Sequence, residues 1–254
     1  MGRKYSKEYE IYYYNVDSKL NCTMPIVLGI LSDVGNKDSE DLGSGVNELL
    51  SKNMTWIFYN YDVKVKRYPK YGEKINVITQ SIGFKKFYAV RNYEIIGEDG
   101  ERIVEGSATF LMLDIKKRRA MRIPKEQYAI YGEAGDMEGE FKLPRLSDFK
   151  EYDYEEIFKV RYSDIDSNGH VNNTKYIEWA IETLPKNIID NYMLEEIKVI
   201  FEKECRYGEE VKVLTKITNN EDGTLTTQHK VLNSEGKELT KLEGKMKETY
   251  NKYR

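Results

Sequence analysis

Apolar and polar residues alternate through Lys74-Ile75-Asn76-Val77-Ile78-Thr79, and again through Glu210-Val211-Lys212-Val213-Leu214-Thr215. A period of two marks strands with one buried face. Comparable runs, rich in Val, Ile, Tyr, Phe and Thr, fall near 54–66, 75–83, 86–97 and 102–114, then near 196–204, 209–218, 224–233 and 238–249. Gly97-Glu98-Asp99-Gly100 and Ser234-Glu235-Gly236 supply hairpin turns. Shorter strand-like runs, about 7–16 and 154–163, come first in each set. Between them and the long strands the period changes to that of a helix, about 24–33 and 174–184. In the second of these helices Tyr176, Ala180 and Leu184 form one stripe and Ile177 with Ile181 the next. Asn172, Asn173 and Thr174 offer cap oxygens, and Pro185 marks the stop.

The two sets are copies. Tyr71-Gly72-Glu73 returns as Tyr207-Gly208-Glu209, 136 positions later, and the turn glycines Gly100 and Gly236 keep the same separation. A period of that length is a duplicated domain, not a solenoid repeat. One strand, one long helix and four antiparallel strands give a curved sheet around a helix. The expected fold is therefore α+β, a tandem (double) hotdog: two antiparallel sheets, each wrapped around a long helix, paired edge to edge so that strand edges are covered. The expected division is an N-terminal unit over 1–130, a linker over 131–152 with Gly132, Gly135, Gly139 and Pro144, and a C-terminal unit over 153–254. A short helix is expected to start after Pro124.

The halves differ in chemistry. Asp166, Asn168 and His170 stand at two-residue spacing immediately before the second helix. An acid, an amide and an imidazole beside a helix N-terminus can align water or a nucleophile against a carbonyl, although such a loop can also simply cap the helix. The first-half counterpart, 16–22, reads VDSKLNC and has an aspartate but no histidine. Instead the first half carries GNKDSEDLGSGVNELL over 35–50, read as a loop and short helix that shape a pocket or lid.

A formal net charge of −3 leaves no overall positive field to recruit nucleic acid. No apolar run is long enough to span a membrane, and no signal or transit peptide is read before the first strand. Cys22 and Cys205 lack CxxC spacing and the two histidines are isolated, which argues against a disulfide framework, zinc or any other metal. No cofactor is expected, and the expected compartment is a reducing cytoplasm. A homodimer is left open. His229 lies in a strand away from the motif and reads as structural or exposed. Lys116-Lys117-Arg118-Arg119 with Arg122 reads as a solvated hairpin end or as a contact for an acidic partner.

DIDSNGHVNNTKYIEW resembles the motif of the acyl-acyl carrier protein (acyl-ACP) thioesterases, and the resemblance covers nearly the whole chain. Trp56, Arg67-Tyr68-Pro69 with Gly72, Arg118-Arg119 and Ile123-Pro124 are similar to that family's first half, and Glu204-Cys205 to its active-site Glu-Cys pair. The resemblance implies hydrolysis of fatty acyl-ACP thioesters to free fatty acid and holo-ACP, with the acyl carrier protein as partner. It carries catalytic roles to Asp166, Asn168, His170 and Glu204, with Cys205 as a fifth candidate. In one scheme His170 or Glu204 activates water while Asn168 and helix amides hold the oxyanion; in the other Cys205 attacks as a thiolate. The water scheme is preferred because it needs no acyl-enzyme. An acyl-CoA thioesterase of the same fold and a non-catalytic acyl-binding sensor are the alternatives. Chain-length preference is expected to map to the first half.

Overall fold

The computed structural model describes residues 2–133, 135–139, 141–166 and 169–249, and the chain divides into two compact units after Leu143. In the first unit the strands are β1 (Lys4–Glu10), β2 (Met54–Val65), β3 (Lys74–Lys85), β4 (Tyr88–Ile96) and β5 (Arg102–Asp114). They pair antiparallel in the order β1-β3-β4-β5-β2, and a two-residue strand β6 (Arg119–Ala120) pairs with β5. In the second unit β7 (Tyr154–Lys159), β8 (Tyr192–Phe201), β9 (Glu210–Asn219), β10 (Leu225–Asn233) and β11 (Glu238–Glu248) pair antiparallel as β7-β9-β10-β11-β8. Each strand order is the other shifted by one copy, as a duplication requires.

Helix α1 (Met24–Asp41) lies on the first sheet, burying Val27, Leu28, Leu31, Val34, Gly35 and Asp38. Those positions recur at three- and four-residue intervals, so the buried stripe continues past residue 33. This corrects the loop expected from Gly35. The glycine and the run of polar residues after it conceal a stripe whose last member is a buried aspartate. A short α2 (Val46–Ser51) follows, and α3 (Lys125–Ile130) opens after Pro124. The first strand stops at Glu10, short of the expected 16, because residues 13–15 turn into a 3-10 helix. In the second unit α4 (Asn173–Glu182) buries Tyr176, Ile177, Trp179 and Ala180, and Tyr176 and Trp179 meet edge to face. Pro185 ends it and begins α5 (Lys186–Asn191). Strand β8 then starts at Tyr192 and ends at Phe201, which places Glu204 and Cys205 past the strand in a coil. No helix among the described residues is long and apolar enough to cross a membrane.

Candidate active site

The loop before α4 is built twice. Ile165 and Val171 form an isolated antiparallel bridge, as Val16 and Cys22 do in the first unit. Inside the bridge Asp166 N–H donates to the His170 carbonyl (2.8 Å), Gly169 N–H to the Asp166 carbonyl (3.1 Å) and His170 N–H to Asp166 Oδ1 (3.3 Å). The first unit repeats each bond: Asp17 N–H to the Asn21 carbonyl (2.9 Å), Leu20 N–H to the Asp17 carbonyl (3.0 Å) and Asn21 N–H to Asp17 Oδ1 (3.0 Å). The turn needs a left-handed residue, and Gly169 has φ 80° where Leu20 has φ 58°. Asp17 shapes its loop without any histidine beside it, so the bond from Asp166 to the His170 amide is part of the loop's architecture. Ser167 and Asn168 lie outside the described residues.

A backbone bond from Val171 N–H to the Cys205 carbonyl (3.0 Å) ties this loop to the coil after β8. It brings Glu204 alongside the imidazole. His170 Nε2 and Glu204 Oε2 are 3.0 Å apart, with about a quarter of the first side chain and half of the second reachable by solvent. A carboxylate accepting from Nε2–H selects the tautomer in which Nδ1 carries the lone pair. The coil's tie to the loop, rather than strand alternation, is what separates Glu204 from its neighbour.

Cys205 is fully buried, and its Sγ donates to Glu209 Oε2 at 3.0 Å. Burial foremost, and then the Glu209 carboxylate, push its pKa up to about 12, so the thiol is protonated at neutral pH. Glu209 also accepts from Arg206 N–H (3.2 Å), just as Glu73 accepts from Lys70 N–H (2.9 Å) in the first unit. It is thus a turn-building residue whose second role, holding a thiol, no spacing rule announces. Cys205→Ala is accordingly expected to keep most turnover of the acyl thioesters that the resemblance implies, and to show no acyl-enzyme burst in rapid-quench experiments. A stoichiometric burst that disappears in Cys205→Ser would restore the thiolate scheme.

Several amides at the start of α4 already have acceptors within the loop and cap. Thr174 N–H donates to Asn172 Oδ1 (3.0 Å), Lys175 N–H to the Asn172 carbonyl (2.9 Å) and Asn172 N–H to the Asp164 carbonyl (2.8 Å). His229 is buried, with Nδ1 2.7 Å from Thr215 Oγ1, and burial lowers its pKa to about 3, so the ring is neutral and structural. Lys116, Lys117, Arg118, Arg119 and Arg122 are exposed around the turn after β5.

The first unit contributes a different feature. A small, partly open cavity lies among α1 and the strands, with Trp56, Phe58, Phe84, Phe110 and Tyr131 in its wall. An aromatic lining of this kind suits an apolar ligand.

Comparison with known proteins matches residues 2–131 to the acyl-ACP thioesterase N-terminal domain and residues 147–248 to the acyl-ACP thioesterase C-terminal domain. Among curated relatives, a chloroplastic palmitoyl-acyl carrier protein thioesterase of Arabidopsis thaliana is 27% identical over 89% of this chain and 58% of its own length. A chloroplastic oleoyl-acyl carrier protein thioesterase of the same plant is 25% identical over 88% of this chain and 66% of its own. The chain thus spans about three fifths of the length of these relatives. Two solved structures share the fold. A Lactobacillus plantarum protein with the provisional description oleoyl thioesterase superposes with a TM-score of 0.93 at 24% identity, covering 98% of both chains. The 12:0-ACP thioesterase of Umbellularia californica superposes with a TM-score of 0.86 at 20% identity, covering 97% of this chain and 94% of its own. A duplicated hotdog whose second copy alone carries the histidine loop, matched in both halves by one family's two domains, belongs to the acyl-ACP thioesterases.

Proposed function

We propose that the protein hydrolyses fatty acyl-ACP thioesters to free fatty acid and holo-ACP, using water activated by His170. The observation that supports this reading most is the 3.0 Å pair of His170 Nε2 and Glu204 Oε2 on a partly solvent-open loop. With Nε2–H held by Glu204, the lone pair on Nδ1 takes a proton from water as the oxygen attacks the thioester carbon. The imidazolium that forms is stabilised by the Glu204 carboxylate. Collapse of the tetrahedral intermediate breaks the carbon–sulfur bond, and the proton passes from His170 to the departing thiolate of the carrier. Asp166 is a positioning residue in this scheme, because its carboxylate sets the backbone of the loop, as Asp17 does where no chemistry is expected. Polarisation of the carbonyl is assigned, on the family resemblance alone, to the side chain of Asn168 together with the free amide at the start of the helix. The aromatic cavity of the first unit suits the hydrocarbon part of the substrate and agrees with chain-length preference residing in that half.

A panel of acyl-ACP and acyl-CoA thioesters of several lengths, followed by release of free thiol, tests the proposal. Acyl-ACP is expected to exceed the matched acyl-CoA by about tenfold or more in kcat/KM, a margin within reach of charge steering onto an acidic carrier. A preference for CoA would make the protein an acyl-CoA thioesterase. Tight binding without turnover of either would make it an acyl sensor.

A further inference from the structure

We propose that the cavity of the first unit is built to receive an acyl chain carrying an oxygen substituent, a hydroxyl or a ketone, rather than an unadorned hydrocarbon. The inference rests on the hydrolase reading for its catalytic arm and on the cavity alone for its binding arm. The aromatic wall faces a polar patch at the centre of the sheet. Ser81 of β3 pairs with Arg91 of β4, and Thr79 of β3 with Tyr93 of β4, so the four occupy adjoining positions on one face. Ser81, Arg91 and Tyr93 line the cavity.

Arg91 is buried; its Nη1 donates to Asp38 Oδ2 (2.7 Å) and Thr79 Oγ1 (3.2 Å), and its guanidinium lies over the Tyr131 ring, 5.8 Å from the centroid. Tyr93 is 2% exposed, and its hydroxyl, beside that of Thr79, makes no hydrogen bond of good geometry among the described residues. Asp38 is shared with a second cation, Arg3, at 3.2 Å, so one carboxylate faces two guanidinium groups. A buried donor set whose one guanidinium shares its carboxylate partner with the half-exposed Arg3 favours an electron-rich oxygen. Packing methylene groups against it would leave donors unpaired at a cost that a hydroxyl or carbonyl removes. The space in front of the tyrosine is maintained by Gly35 of α1, where an added Cβ would come within 2.8 Å of Tyr93 Oη.

The second unit serves as an internal control. The positions equivalent to Ser81, Arg91 and Tyr93 hold Ile217, Thr227 and His229, and His229 is satisfied by Thr215 at 2.7 Å. The duplicated sheet therefore does not require a charged patch there; the first unit has one, beside its aromatic cavity.

Two measurements on the intact protein test the proposal. In the first, free fatty acids of one length, plain or bearing a hydroxyl or oxo group at different positions, are titrated while the fluorescence of Trp56 in the cavity wall is followed. Wild type is expected to bind at least one oxygenated acid about tenfold more tightly than the plain acid, and Tyr93→Phe and Ser81→Ala to remove that margin without weakening the plain acid. The second compares kcat/KM for the matching acyl-ACPs, where the same variants are expected to erase the same ratio. Arg91→Gln combined with Asp38→Asn, with folding verified by circular dichroism, extends both measurements to the ion pair. Equal or weaker binding of every oxygenated acid by wild type overturns the proposal, even if plain acyl-ACPs are hydrolysed. Selective binding with no hydrolysis of any acyl-ACP supports the cavity proposal and defeats the hydrolase reading alone.

Discussion

His170→Ala is expected to lower kcat/KM for acyl-ACP by about 10²–10⁴-fold, the usual contribution of a positioned general base. Its folding stability should stay within about 0.5 kcal/mol of wild type, as for surface positions free of special constraints. The two effects separate because the ring is partly exposed and its recorded side-chain partner is Glu204. The loop is shaped by backbone bonds and Asp166 Oδ1, none of which involves the imidazole. Glu204→Gln keeps an oxygen near Nε2 but removes the charge that offsets the imidazolium, so it is expected to reduce turnover without unfolding the protein. Steady-state kinetics with thermal unfolding of the same samples make the test. A folded His170→Ala protein with near-wild-type turnover would end the assignment of the base.

Asp38→Ala is expected to destabilise the protein by about 3–5 kcal/mol, the range for removing one partner of a buried ion pair. Asp38 is 1% exposed and receives both Arg91 and the half-exposed Arg3. Without it Arg91 remains buried beside an aromatic cavity with no anion. The pair itself contributes far less than this cost, because desolvating both charges offsets most of their attraction. Replacing both residues by apolar side chains of similar volume should therefore recover much of the loss. Urea denaturation of the single and double variants measures this, and a loss under about 1 kcal/mol for Asp38→Ala would show that the aspartate carries little of the burden.

The two charged clusters differ in how visible they are along the chain. Asp166, Asn168 and His170 are legible because they stand at two-residue spacing in the sequence just before an amphipathic helix. Glu204 and Cys205 are not local to that segment and enter through family resemblance. Spacing could not have shown that the Val171–Cys205 backbone bond brings Glu204 to the ring while burying the thiol against Glu209. Arg91 did leave a trace, a cation at an inward position of an alternating strand, but its partner Asp38 falls in a stretch that read as a loop.

By itself, then, the sequence determined the duplication, the strand periods, the turn glycines and the half that carries the histidine loop, because these depend on local backbone preference and on which face of an element is apolar. Only the tertiary structure decided which polar groups meet. The reach of α1 to Asp38, the pairing of His170 with Glu204, the protonated state of Cys205 and the polar patch in the first unit's cavity all follow from contacts between segments distant in sequence. Their energies come from burial and from charge in a medium poorer than water, and neither quantity exists until the chain has folded around them.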